Sequence, residues 1–261
     1  MGTIDEVPRQ KQAQDVWRAV LVDGHEPLRR AHRLFRHLPG PPRCKLCHNP
    51  FGGVGGRLVR IAGFRRSRKN PNLCARCCDT LPPGGLEVDV AVLFADVRGS
   101  TALSERIGAA PFADLLNHFY RIATEVLIRH DAIIDKLIGD EVMALFLPGF
   151  AGPDYRQRAA TAGVELVRAL SVELDLPVGA AVTAGTAYVG NVGDQIVDFT
   201  ALGDPVNAAA RLQAEAAAGE VVISTDLHPG LTAQFPDAAH RSIEVRGKEA
   251  PIDVQIVRAR S

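Results

Sequence analysis

Hydrophobic and polar positions divide the 261-residue chain into three stretches of different texture. Between residues 10 and 38, Val16, Val20, Leu21, Leu28, Ala31, Phe35 and Leu38 recur mostly at steps of three and four. That is the period of an amphipathic helix. Gly24 and Pro27 interrupt it, since proline removes a backbone donor, so two short helices are expected. "LPGPPR" at 38–43 ends the segment. Residues 44–85 carry little apolar periodicity and are rich in Gly, Arg and Cys. A stretch of that kind buries little core and needs a staple. "LPPGG" at 81–85 reads as a linker.

From residue 86 the pattern alternates between strand and helix. "LEVDVAVLFA" is a continuous apolar run, the mark of a buried strand. Within 111–130, Phe112, Leu115, Leu116, Phe119, Ile122, Val126 and Leu127 share one helical face behind Pro111, a good first-turn residue. "AIIDKLI" and "EVMALFL" are strands joined tightly at Gly139 and Asp140, a hairpin signal. A helix is expected at 153–171, then strands "PVGAAVTAGTAYVG" and "IVDFTALG", then a helix at 204–217. Strands near 220–224, 241–246 and 252–258 complete the chain. The order β-α-β-β-α-β with extra strands predicts an α+β fold with helices on one face of a sheet. The expected division is a helical segment at 1–39, a cysteine-rich module at 40–86 and an α+β domain at 87–261.

Charge sharpens that division. The chain is neutral overall, yet residues 1–87 hold 16 Lys and Arg against 7 Asp and Glu, and the remainder holds 14 against 23. A basic front and an acidic back suggest two modules. No run of about 18 apolar residues is present, so no membrane-spanning helix is expected. The first residues are too polar for a secretory signal, and Glu6 stands where a myristoylation signal would place Ser or Thr, so a cytoplasmic location is expected.

The chemistry concentrates at a few positions. Asp96 and Asp140 each end an apolar strand, and the topology can bring both to one sheet edge. Two acids there attract a hard cation such as Mg²⁺ or Mn²⁺ together with substrate phosphates. Either acid alone is more simply a turn residue. Gly99, Ser100 and Thr101 add a pliable turn and a helix N-terminus, where backbone N–H groups can receive phosphate. Asn207 and Arg211 lie four apart on one helical face. Asn suits a sugar oxygen, and the planar Arg fork suits a phosphoryl group. The plain alternative is a helix capped by Asp204 with a surface Arg.

All five cysteines fall between 44 and 78. Cys44-x2-Cys47 and Cys74-x2-Cys77, separated by 26 residues, are paired knuckles of the kind that close a tetrahedral zinc site. His48 or Cys78 could replace a ligand, and an iron–sulfur cluster is the alternative metal. "RLVRIAGFRRSRKNPN" between the knuckles is basic. A solvated, charge-balancing face explains it better than nucleic-acid binding, although Arg65, Arg66 and Arg68 could contact phosphates. A regulatory or dimer-organising role suits the module.

"FADVRGST", "KLIGDEVMALF" and "TALGDPVNAAARL", in this order and spacing, resemble the catalytic domain of class III nucleotidyl cyclases. The resemblance covers roughly residues 88–258, including "VRGKEAPIDVQIV", similar to the family's final hairpin. It implies a ferredoxin-like βαββαβ domain with extra strands, and the short helices and small zinc-ribbon-like module read above would precede it. Asp96 and Asp140 would bind two Mg²⁺ or Mn²⁺ ions, Asn207 would orient the ribose, and Arg211 would stabilise the transition state at the α-phosphate. Lys136 matches the family's adenine-selecting lysine, and Lys248 would reach the terminal phosphates. Thr200 stands where many members have Asp, as in a bacterial-type subgroup, and its hydroxyl can both donate and accept. The resemblance thus implies an adenylate cyclase acting on ATP. It also implies a head-to-tail homodimer with two shared sites, one protomer giving the aspartates and the other Lys136, Thr200, Asn207 and Arg211. A guanylate cyclase and a catalytically silent nucleotide-binding module are the alternatives.

Overall fold

The structure is a computed structural model that describes residues 6–40, 42–67, 73–193, 197–248 and 250–259. Arg68 and Lys69 of the basic stretch lie outside the described residues. The chain begins with α1 (Glu6–Arg18), a π-helical turn at Ala19–Asp23, α2 (Glu26–Phe35), α3 (Gly53–Ile61) and α4 (Ala75–Thr80). Next come β1 (Gly85–Val97), α5 (Ser100–Ile107), α6 (Ala109–Arg129), β2 (Ile133–Ile138), β3 (Glu141–Phe146) and α7 (Pro148–Ala151). Then follow α8 (Tyr155–Leu174), β4 (Val178–Val192), β5 (Asp198–Leu202), α9 (Asp204–Glu215), β6 (Glu220–Ser224), α10 (Leu231–Gln234), β7 (Ala239–Ile243) and β8 (Ile252–Arg258).

Two compact units divide the chain. One consists of the residues up to Val88 with Leu147–Gly152 and Ala187–Leu202; the other consists of Asp89–Phe146, Pro153–Thr186 and the residues from Gly203 onward. The second unit carries the main sheet, in the order β2-β3-β1-β4-β6-β8-β7. β1 is central there, and Val90, Ala91, Val92, Leu93 and Ala95 are all fully buried. Burial on both sides is why this strand reads as a continuous apolar run rather than an alternation. Helices α6 and α8 pack on each other and on the strands beneath them. Phe119, Ile122 and Val126 of α6 and Leu166 and Leu170 of α8 are buried, as their helical spacing predicts.

The expectation of helices on one face needs correction. At Gly163, α8 meets Val182 and Val221. Leu212 and Ala216, on and just after α9, pack instead with Ala181, Val222, Val254 and Ile256. Adjacent strand residues point to opposite faces, so α8 and α9 cover opposite sides of the sheet. The reason lies in β6, where Val221, Val222 and Ile223 are all fully buried and both faces need cover. The seventh strand also begins earlier than its sequence suggests, at Ala239.

In the first unit the cysteine-rich stretch holds more helix than its pattern suggested, namely α3 and α4. The signal for α3 was masked by glycines. A Cβ on Gly55 would fall 2.0 Å from Pro39 O, so glycine there serves backbone approach rather than a turn. Helix α2 is tied to the first cysteine knuckle by the buried His32, whose Nδ1 pairs with Leu46 O at 2.8 Å. The Arg43 guanidinium adds bonds to Phe35 O (3.0 Å) and His48 O (3.1 Å). β5 pairs antiparallel with the Tyr188–Val192 end of β4, setting Thr200 opposite Gly190. Asn191 N donates to Gly84 O at 2.8 Å, closing this corner.

A Cβ on Gly190 would lie 2.3 Å from Gly85 Cα and 2.5 Å from Gly84 O, both backbone atoms that cannot swing aside. Gly190→Ala is therefore expected to destabilise the protein by about 1–3 kcal/mol, the usual range for overpacking, which a thermal melt would measure.

Candidate active site

The antiparallel register of β1 against β3 sets Asp96 opposite Glu141, one residue beyond Asp140 in the hairpin turn. Gly139 takes a left-handed φ of 59°, which lets the turn close in two residues. The Tyr120 hydroxyl, from α6, donates to Gly139 O and holds the turn from the side. Asp140 consequently lies beside Asp96 at the sheet end. Burial first, and the Asp140 carboxylate second, push the Asp96 carboxyl up to about 7. Arg98 and the side chain of Gln213 act in the opposite direction. Burial and Asp140 raise Glu141 as well. Like carboxylates in one place cannot all ionise without a cation between them. This donor set of half-buried acids, open to water, suits Mg²⁺ or Mn²⁺.

Asn207 and Arg211 both lie on the exposed face of α9, opposite the buried Ala208, Ala209 and Leu212. Among the described residues neither side chain makes a hydrogen bond or ion pair, and none joins them to the aspartates. Lys248 comes to the same end of the unit. Its ammonium pairs with Asp204 in the first turn of α9, and the neighbouring Gly247 abuts the Arg211 guanidinium. Lys136 sits on β2 with its ammonium 3.3 Å from the buried Asp135 carboxylate. Gly99, with φ of 70°, precedes α5, so Ser100 and Thr101 open that helix. Thr200 is buried on β5 in the first unit. Sequence reading missed Gln213. Its signal was a polar residue between Leu212 and Ala216 on the buried side of α9.

The sequence model of the adenylate and guanylate cyclase catalytic domain matches residues 86–257. The chain belongs to this family. An uncharacterized protein of Mycobacterium tuberculosis is 34% identical over 214 residues, covering 77% of this chain and 36% of that protein. A second protein from the same organism is 32% identical over 200 residues, covering 74% of this chain and 32% of its own length. The chain therefore spans about a third of the length of the curated relatives it matches. Among solved structures, the adenylyl cyclase CyaB from P. aeruginosa superposes with a TM-score of 0.60 at 29% identity, covering 67% of this chain and 96% of that one. The guanylyl cyclase Cya2 gives 0.61 at 25% identity, covering 67% and 93%.

The first unit carries a group of four cysteines that could hold a metal ion. Cys44, Cys47, Cys74 and Cys77 are buried, and their sulfurs lie within 4.8 Å of one another. Cys78 is half-buried and, like His48, stands outside this group. Cys47 Sγ and Cys74 Sγ are 3.7 Å apart. Ligands at about 2.3 Å from a tetrahedral zinc stand about 3.8 Å from each other, so the spacing fits. Two backbone amides already point at sulfur: Cys74 N donates to Cys44 Sγ (3.3 Å) and Cys77 N to Cys74 Sγ (3.5 Å). Contact with Cys44 and the other thiols holds Cys74 well below the usual thiol range and pushes Cys47 and Cys77 far above it. Crowding lets one sulfur ionise at the others' expense, and a cation lets all four do so. No helix among the described residues is long and apolar enough to cross a membrane.

Two measurements follow. Cys44→Ser should remove the protein's bound metal, about one ion per chain by elemental analysis, and lower the thermal midpoint. The second concerns pH. Asp96 binds its proton more tightly folded than unfolded, so its stabilising contribution is full below the ordinary value of 3.8 and is lost as pH rises through about 7. Without divalent cations the thermal midpoint should fall across that window. Asp96→Asn should flatten the fall, and added Mg²⁺ should offset it at the high end.

Proposed function

We propose that the chain is an adenylate cyclase converting ATP to 3′,5′-cyclic AMP and pyrophosphate, at two equivalent sites shared within a head-to-tail homodimer. The observation that carries this reading is the carboxylate pair, Asp96 beside Asp140, half-buried at a sheet end in a cyclase catalytic domain. These two residues would hold the divalent cations, which when bound neutralise phosphate charge and favour ionisation of the ribose 3′-hydroxyl. The amide groups opening α5 after Gly99, with Ser100 and Thr101, would seat phosphate oxygens.

Asn207 would fix the ribose, and Arg211 would meet the charge that grows on the α-phosphate as the 3′-oxygen bonds to phosphorus and pyrophosphate departs. Lys248 would leave Asp204 for the terminal phosphates. Lys136, steadied by the carboxylate of Asp135, would donate to the unprotonated ring nitrogen of adenine. Guanine carries a hydrogen at that nitrogen, so a lysine opposes it. Thr200 would complete the contact with the exocyclic group. Asn207 and Arg211 are exposed in the single chain, as are the apolar Leu137 and Ile138 beside the hairpin. A second copy would cover such surfaces. The cysteine centre would hold zinc as a closed, structural site. An ATP-consuming domain with reduced thiols suits the cytoplasm.

Purified protein given ATP or GTP with Mn²⁺ or Mg²⁺ should form cyclic AMP in preference to cyclic GMP. Asp96→Ala and Asp140→Ala should each lower kcat by roughly 100-fold or more. Arg211→Ala should cost about 10²-fold or more. Mixing the inactive Asp96→Ala and Arg211→Ala chains should restore roughly a quarter of wild-type activity, because each mixed dimer regains one intact site. Absence of product from both nucleotides with either metal would overturn the reading; no recovery on mixing would overturn the shared site.

A further inference from the structure

Lys45 lies between two cysteines of the first knuckle, yet its ammonium turns away from the sulfurs. The side chain is 8% exposed, and Nζ donates to Asp198 Oδ1 at 3.0 Å and to Phe199 O at 2.9 Å. Both acceptors belong to β5, immediately before Thr200. The carbonyl of Phe199 and the N–H of Thr200 share one planar peptide unit. A donor fixed on that oxygen therefore restrains the direction in which the chain enters Thr200.

Other contacts close the same clamp. Trp17, fully buried, stacks on the Phe199 ring with centroids 6.1 Å apart and an interplanar angle of 22°. On the other side Thr200 faces Gly190, at the glycine corner where β4 meets the start of β1. A buried ammonium is costly unless its acceptors stay in place, so Lys45 and β5 must move together. Lys45 in turn is one residue from Cys44 and two from Cys47, both members of the four-sulfur group. The knuckle's conformation is thereby transmitted to the strand.

We propose that Lys45 is a positioning residue through which the cysteine knuckle sets Thr200, and with it the preference between adenine and guanine nucleotides. The proposal rests on the reading of Thr200 as a base contact. Lys45 itself touches no nucleotide; it acts through the Phe199–Thr200 peptide. An intact, metal-filled knuckle becomes a requirement for selectivity rather than only for stability.

The test uses the full chain as wild type, Lys45→Met and Lys45→Arg, with Asp198→Asn as the second variant should Lys45→Met fail to fold. Two readouts are taken: kcat/KM for ATP and GTP with Mn²⁺, and the emission of Trp17, the chain's single tryptophan. Lys45→Met should lower the ATP-to-GTP ratio about tenfold, chiefly through KM for ATP, and shift Trp17 emission to the red. Lys45→Arg, which keeps donors and charge, should hold the ratio within about twofold. Stripping the knuckle's metal from wild type with a thiol-competing chelator, then re-supplying Mn²⁺, should move both readouts as Lys45→Met does. An unchanged ratio in folded Lys45→Met, or an equal loss with both nucleotides, would overturn the proposal. If wild type turns over neither nucleotide, the adenylate cyclase reading fails separately, and Trp17 still decides the linkage: a red shift in Lys45→Met upholds it, unchanged emission overturns it.

Discussion

Two carboxylates held side by side at the end of a sheet repel each other, and much of the second unit serves to keep them there. The β1–β3 register fixes Asp96 opposite Glu141, and the turn then leaves Asp140 no route away. Tyr120 braces the turn from α6, while Gln213 reaches Asp96 from α9. The cost of the arrangement is visible in the raised Asp96 carboxyl. In the proposed reading a dication between the two acids would relieve that repulsion with little reorganisation of the protein. The buried runs in β1 and β3 supply the rigidity that makes this possible.

The cysteine centre obeys the same electrostatic rule with a different outcome. Four thiols crowd to within 4.8 Å, and only a cation lets all of them ionise. What differs is access. The cysteines are buried, and four thiolates are enough to complete a tetrahedral zinc site, which would leave no place for a substrate. The aspartates are half-buried and too few to satisfy a hard cation, which leaves room for water and phosphate. In the proposed reading, closed and open coordination would separate a structural centre from a reactive one within one chain.

How much of this the sequence disclosed depended on whether the signal was local. The Gly139–Asp140 hairpin, the shared face of Asn207 and Arg211, and the Cys-x2-Cys pairs are short-range patterns, and each is found where its spacing puts it. Gln213 escaped notice because its importance is a contact with Asp96, 117 positions away in the chain. Lys45 escaped for the same reason: a lysine between two cysteines looks solvated until β5 is folded against it. α3 was hidden because Gly53, Gly55 and Gly56 lower helix propensity, and close backbone approaches to Gly40, Pro39 and Phe51 respectively explain them. The placement of α9 on the second face needed the sheet order, which hydropathy does not carry.

The contrast between Arg211 and Lys248 bears on how such a site handles charge. In the proposed reaction both meet phosphate, yet only Lys248 has a protein partner among the described residues. That partner, Asp204, is 68% exposed. Exposed pairs contribute little, about 0–1 kcal/mol, so a phosphate displaces the aspartate cheaply and Lys248 is parked rather than locked. A guanidinium that must stabilise charge in the transition state gains nothing from a carboxylate of its own. Any neutralisation in the resting state would have to be undone as the reaction proceeds, and that loss would fall directly on the rate. Solvent exposure on α9 keeps Arg211 uncommitted. In the proposed dimer that exposure would also let a second copy cover the arginine, which gives an electrostatic reason for an arginine with this role to stand at a boundary between two copies.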